Sequence, residues 1–373
     1  MKRIGIVSYN IHANFTNYGS ALQSWALSKI VTMLGYRSVL IDYCPDVLLD
    51  KDPLDPFKNS WDKDSRMKKM IYLSMPAIEK NYKEFDNFYT HKFNRSSPYT
   101  RLNFDESVKE VDSYLCGADT IFSPDEFNLD DGYLANYSCM RNNSISYAAS
   151  FGDPHFSEKQ LADLNCKLKN FKALGIRENL MLDYVKTIVN VPVKRVIDPT
   201  LLLDVKEYKK LATKRRFIKK DYLLYYSRRY NSVMENFVEK LAKEKKLEIV
   251  EISLQATNVD KGHIMFYEAG VEDFLSLIIH SKLVVTNSYH GLIFSVLFKK
   301  EFAVFSRSLC DSKINELLLL LGINGRLLVE GNEQLLPIDY ESVFNKIEES
   351  KKESITFLKN ALALLGDSND LYK

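Results

Sequence analysis

Two Rossmann-like α/β domains facing a cleft are the fold the sequence predicts, and three observations lead there. Short apolar runs alternate with longer amphipathic segments, the signature of a parallel sheet with crossover helices. That alternation restarts near residue 222, after a stretch at 206–220 crowded with Lys and Arg. At 373 residues the chain also exceeds what one core of ordinary size holds. The boundary is therefore placed between domains of residues 1–205 and 206–373.

In the first domain, strands are expected at 4–8, 39–42, 113–116, 145–148, 174–176 and 194–197, where apolar residues cluster in short runs. Helices are expected at 20–34 and 157–170. The second domain offers strands at 222–226, 248–252, 283–286 and 302–305, with helices at 232–245, 271–280, 290–298 and 312–321. Residues 339–365 read as one long amphipathic helix that packs back across the junction. Between 46 and 99 the pattern weakens around Pro45, Pro53, Pro56 and Pro76. An insertion of mixed helices and loops at the cleft mouth is expected there.

Composition removes several function classes. Hydrophobic residues make up 46% and charged residues 27%, as in a soluble globular protein. A net charge of +2 gives no field that would argue for nucleic acid. Cys44, Cys116, Cys139, Cys166 and Cys310 are odd in number and form no CxxC or Cys/His cluster. Reduced thiols of a cytoplasmic protein, and no metal site, are the expectation. The opening MKRIGIVSYN lacks a signal-peptide apolar core, and no apolar run is long enough to span a bilayer.

Ligands in open parallel sheets bind beyond the carboxyl ends of the strands, so the residues just after each strand matter most. After the first strand, Asn17, Tyr18, Gly19 and Ser20 open a helix, either as a simple capped turn or as an anion site. After the third stand Gly117 and Asp119, a candidate base or hydroxyl acceptor that could equally cap a helical turn. Ser150 follows the fourth strand, and Arg177 with Glu178 the fifth. Arg177 can fork onto a carboxylate or phosphate, or form a salt bridge that positions the following helix. Asp198-Pro199-Thr200 ends the sixth strand and is expected to shape the domain junction. In the second domain, Asn287, Ser288, His290 and Gly291 follow a Val-rich strand. A His at such a turn suits acid–base chemistry near neutral pH, against a purely structural role. Arg228 and Arg229 follow one further strand and Arg307 another; at least one can neutralise an anion, and the others read as surface charges.

In their order along the chain these pieces resemble the polysaccharide pyruvyl transferase family. The match consists of NYGSALQSWAL, GADTIFSPDEF, SYAASFG, GIRE, VIDPTLLLD and TNSYHGLIFSVLF, then Arg307 and the block from Lys313 to Leu318. It runs from Asn17 to about Leu328. The resemblance implies a glycosyltransferase-B-like fold, phosphoenolpyruvate as donor and a saccharide hydroxyl as acceptor, giving a pyruvate ketal. Two departures stand out. Well-studied branches carry Arg-x-His where this chain has Ser288-Tyr289-His290, and Thr120 and Phe122 replace Gln and Trp-like residues.

With that resemblance, His290 and Asp119 are expected to be catalytic. Asn287, Ser288, Gly291, Arg177, Arg228 and Arg307 are expected on the donor side, and Asn17, Tyr18, Gly19, Ser20 and Ser150 on the acceptor side. The segment 46–99 offers Trp61, Tyr72, Tyr82 and Tyr89 for stacking on sugar rings. No cofactor is expected beyond phosphoenolpyruvate as substrate. The expected acceptor is a lipid-linked oligosaccharide, met in the cytoplasm or at the inner face of the membrane by peripheral association. Two alternatives remain: a sugar-nucleotide-dependent glycosyltransferase on the same scaffold, and a catalytically inactive saccharide-binding protein.

Overall fold

The computed structural model describes residues 1–9, 12–13, 15–55, 65–307 and 311–366. From the N-terminus run β1 (Arg3–Val7), α1 (Tyr18–Met33), β2 (Arg37–Tyr43), α2 (Ser65–Lys92), β3 (Arg95–Tyr99) and β4 (Ser113–Cys116). There follow α3 (Pro124–Phe127), β5 (Ser144–Ala149), α4 (Glu158–Lys167), β6 (Phe171–Ile176), α5 (Leu182–Ile188), β7 (Val193–Arg195) and α6 (Val205–Leu211). The seven strands form one parallel sheet in the order β3-β2-β1-β4-β5-β6-β7.

The second half comprises β8 (Tyr222–Tyr226), α7 (Ser232–Lys245), β9 (Glu248–Ile252), β10 (Ile264–Met265), α8 (Val271–His280) and β11 (Leu283–Thr286). It continues with α9 (Tyr289–Leu297), β12 (Glu301–Phe305), α10 (Asp311–Leu321), β13 (Leu327–Leu328) and α11 (Tyr340–Leu364). Its sheet is parallel as well, in the order β10-β9-β8-β11-β12-β13. Strands such as YLLYY and LVVT are buried along their whole length, as parallel strands covered on both faces must be.

Each sheet reverses its winding at one place, between β1 and β4 in the first and between β8 and β11 in the second. A crevice opens beyond the strand ends at such a point. The loops after β1, β4, β8 and β11 carry Asn17, Asp119, Arg228 and Ser288. The fold therefore points the candidate residues of both domains at one cleft.

Helix α1 joins the domains. Most of its residues are buried, and it packs on α8 and α9 of the second domain as well as on its own sheet. Tyr18 stacks on Phe274 with ring centroids 4.3 Å apart, and its hydroxyl donates to the carbonyl of Ala269 at 2.7 Å. Asn81 of α2 donates to the same carbonyl at 2.6 Å. Helix α11 returns from the second domain to lie on β5 and β6 of the first, where Lys172 donates to the carbonyl of Leu364 at 2.9 Å. Among the described residues, no helix is long and apolar enough to cross a membrane.

The segment 46–99 differs from the expected mixed insertion. It holds one 28-residue helix, α2, and supplies the edge strand β3. Met70, Ile71, Ser74, Ile78, Phe85, Phe88 and Tyr89 are buried at helical spacing, so a continuous stripe carries the helix through Pro76. That stripe offsets the roughly 3 kcal/mol that an interior proline costs. Strand β3 contains Pro98, which an edge strand tolerates and a central one does not.

Candidate functional site

Asp119 reaches the cleft through an unusual backbone. Gly117 has φ +152°, and a β-carbon there would lie 2.0 Å from the carbonyl oxygen of Tyr147, so only glycine passes this close to β5. Asp119 itself has φ 77°, in the left-handed region. Its Oδ2 accepts from Ser20 Oγ at 2.6 Å, and its Oδ1 from the backbone N–H of Thr120 at 2.9 Å. Burial opposes ionisation of this carboxyl. The positive charges of Lys313, Arg177 and His290, with the Ser20 hydroxyl, outweigh it and hold Asp119 below the usual carboxylate range.

His290 lies in the first turn of α9. Ser288 caps that helix by accepting from the N–H of Gly291 at 3.3 Å. The imidazole Nε2 stands 3.4 Å from Oδ2 of Asp198, and the same oxygen is 3.1 Å from the Arg177 guanidinium. These are ion-pair contacts without hydrogen-bond alignment. The other carboxylate oxygen of Asp198 accepts from the Thr200 hydroxyl at 2.6 Å and its N–H at 2.9 Å. Burial again opposes charge on Asp198, but Arg177 and then His290 depress its pKa well below the usual range. With Nε2 turned to Asp198, Nδ1 is the ring nitrogen left for a ligand. It packs beside Gly19, where a β-carbon would approach to 2.0 Å.

Cations complete the cleft. Asp119 and His290 line one cavity of about 350 Å³, together with Asn17, Arg228, Ser288, Arg307 and Lys313. Arg228 is fixed from both domains: its N–H donates to Asn287 Oδ1 at 2.8 Å, and its guanidinium to the carbonyl of Thr16 at 3.0 Å. Lys313 of α10 is buried, with its ammonium 5.7 Å from the Tyr289 ring centroid. Such a wall can hold a multiply charged anion against a carboxylate and an imidazole.

Other expected site residues stand behind this wall. Arg177 is buried on Asp198 and over the Tyr289 ring at 5.3 Å, so it serves the ion-pair cluster and does not line the cavity. Asn287 is spent on the loop after β8, accepting from Arg228 N–H and donating to the carbonyl of Arg229 at 2.7 Å. Gly291 lets α9 leave β11 closely, since a β-carbon would meet Thr286 Oγ1 at 2.5 Å. Ser150 is fully buried, its hydroxyl accepting from Gly152 N–H at 3.1 Å. Tyr18 docks the domains, and Ser20 holds Asp119. Tyr89 is core, Tyr72 is exposed, Tyr82 is half-buried, and Trp61 lies outside the described residues.

Lys313 is a residue that sequence reasoning left without a role, and Asp198 was expected only to shape the domain junction. Asp198 was visible as the polar end of a strand, but its approach to His290 spans 92 positions and depends on how the domains dock. Lys313 stood in a recognisable block on an otherwise apolar helix, and a Lys on a buried face is itself a signal.

A two-domain α/β protein here sets a carboxylate and an imidazole within a cationic interdomain cleft, a lining whose charge suits an anion. The family profile described as polysaccharide pyruvyl transferase matches residues 17–308, and the chain belongs to that family. No curated protein matches the sequence significantly. Solved structures resemble it in shape. A putative UDP-N-acetylglucosamine 2-epimerase from Listeria monocytogenes is 12% identical, with TM-score 0.49 and coverage of 96% of this chain and 91% of that one. The UDP-GlcNAc 2-epimerase of Methanocaldococcus jannaschii is 10% identical, with TM-score 0.47 and coverage of 97% and 99%. Glycosyltransferase SnogD from Streptomyces nogalater is 11% identical, with TM-score 0.43 and coverage of 98% and 100%. At such values they add nothing to what the strand order establishes.

Proposed function

We propose that this protein transfers the pyruvyl group of phosphoenolpyruvate to two hydroxyls of a saccharide, forming a pyruvate ketal. The observation that carries the reading is His290, backed by buried Asp198, in one cavity with Asp119 and the cations Arg228, Arg307 and Lys313. Those cations suit the phosphate and carboxylate of the donor and stand in for the Arg that other branches carry at position 288. Protonated His290 gives its Nδ1 proton to the methylene carbon, which becomes a methyl group and leaves C2 electron-poor. A sugar hydroxyl adds to C2 and loses its proton to Asp119. Phosphate departs with its bridging oxygen and the proton held by Asp119, and a second hydroxyl closes the ketal as its proton returns to His290. One proton ends on the methyl group and one on the departing phosphate, so the reaction is balanced. An acid–base group in this position contributes about 10²–10⁴-fold in rate.

The acceptor class that goes with this reading is a lipid-linked oligosaccharide, met at the cytoplasmic face of the membrane. Phosphate release from phosphoenolpyruvate, screened across such acceptors with mass detection of a pyruvylated product, tests the proposal. Absence of saccharide-dependent phosphate release, or sugar transfer from a nucleotide sugar instead, would overturn it.

A further inference from the structure

A second cavity of about 350 Å³ adjoins the first, and the two share Phe15, Arg228 and Arg229. Both domains build its walls. Phe15 and Tyr18 come from the first, while Tyr226 comes from β8, Tyr230 from the loop beyond it and Tyr267 from the loop beyond β10. Five aromatic rings around a space this size offer flat apolar faces. Ser253 and Gln255 at the end of β9 supply polar groups beside them. Tyr226 adds a second kind of signal. It is only 2% exposed, and its hydroxyl has no hydrogen-bond partner among the described residues. A buried hydroxyl without a partner is costly unless a ligand satisfies it.

We propose that this cavity docks a pyranose ring of the saccharide acceptor, an assignment that rests on the pyruvyl-transfer reading above. A pyranose has an apolar face of C–H bonds and a rim of hydroxyls, which match aromatic walls with a few polar groups. The shared border at Phe15 and Arg228 lets hydroxyls of the docked ring, or of its neighbour, enter the cavity of Asp119 and His290. The acceptor then lies largely on the second domain and on the start of α1. Of the residues expected on the acceptor side from the sequence, Tyr18 alone lines this space.

The test uses the full chain with inorganic phosphate present, and follows binding of methyl pyranosides of glucose, galactose, mannose, N-acetylglucosamine and N-acetylmannosamine by saturation-transfer NMR. UDP is titrated in parallel. At least one pyranoside is expected to bind. Tyr267→Ala and Tyr230→Ala should each weaken it roughly tenfold, and Tyr226→Phe roughly 3- to 10-fold. Tyr226→Phe keeps the ring, so it tests the hydroxyl even if a larger truncation misfolds. Exposed Leu102, which lines neither cavity, should change nothing when replaced by Ala. Binding of no pyranoside, pyranoside affinity unchanged in all three wall variants, or wall-dependent binding of UDP alone would overturn the assignment. Phosphate release from phosphoenolpyruvate separates the two proposals. If release occurs and the wall variants leave the acceptor KM unchanged, the cavity assignment falls and pyruvyl transfer stands. If pyranosides bind in a wall-dependent way without any phosphate release, pyruvyl transfer falls and the saccharide pocket stands.

Discussion

Gly19 lies so close to His290 that a β-carbon at position 19 would sit 2.0 Å from the imidazole Nδ1. The first turn of the first domain's helix thus forms one side of the second domain's histidine site, and only a hydrogen fits between them. Gly19 is not at a positive φ, so its requirement is one of space. The Gly19→Ala variant should fold, with about 1–3 kcal/mol lost to overpacking. Activity per folded molecule should fall by about 10²-fold or more as the ring is pushed from Asp198. Thermal unfolding and phosphate release measured on the same preparation check both halves.

Asp198 should set an acid limit on stability. Its folded pKa is depressed by Arg177 and His290 against the cost of burial. A depressed carboxylate stabilises above its unfolded pKa of about 4, and that stability is lost as pH falls toward the folded value. Urea unfolding between pH 6 and pH 3 should show stability falling below about pH 4. Asp198→Asn should flatten that fall and cost about 3–5 kcal/mol at neutral pH, because Arg177 is left buried without its counter-charge. A variant as stable as the parent at pH 7 would remove Asp198 from its place in the cluster.

Much of the architecture was readable because parallel strands announce themselves. Runs such as YLLYY and LVVT are mostly apolar, EIVEI sets Ile and Val between two Glu, all three are short, and the structure places strands at Tyr222–Tyr226, Glu248–Ile252 and Leu283–Thr286. Strand β3 was not readable, since RSSPY carries no apolar alternation and owes its place to pairing with β2. Strands β10 and β13 have two residues each, too few for any period. At the site, position after a strand pointed to Asp119, Arg228 and His290, and the structure lines one cavity with the three. It could not distinguish side chains that line the cleft from those, like Asn287 and Arg177, that face backward to hold the wall. That distinction lies in contacts between chain segments far apart in sequence.

Two cations of the cleft should both hold the donor. Arg228 and Lys313 both line the cavity with Asp119 and His290. Charge-assisted hydrogen bonds are worth about 1.5–3 kcal/mol each, so Arg228→Ala and Lys313→Ala should weaken phosphoenolpyruvate binding by about 10- to 100-fold. Calorimetric titration of the donor measures this directly. Loss of Lys313 should also raise the pKa of Asp119, since the lysine charge is the largest of those lowering it.

The docking of the domains should depend on the Tyr18 ring more than on its hydroxyl. Tyr18→Ala removes a buried ring stacked on Phe274 and should cost about 3–5 kcal/mol. Tyr18→Phe should cost about 1 kcal/mol or less, because Asn81 still donates to the Ala269 carbonyl. Denaturant melts of the two variants compare the terms.

The central claim is that His290 moves the proton that makes phosphoenolpyruvate reactive, and one comparison tests it most directly. Saccharide-dependent phosphate release and thermal stability are measured for the parent protein, His290→Gln and His290→Ala. Turnover should fall about 10²–10⁴-fold in both variants while donor affinity stays close to the parent's, and His290→Gln, which keeps a polar side chain beside Asp198, should lose less melting temperature than His290→Ala. Near-parental turnover in either variant, or lost stability with activity per folded molecule retained, would contradict the account.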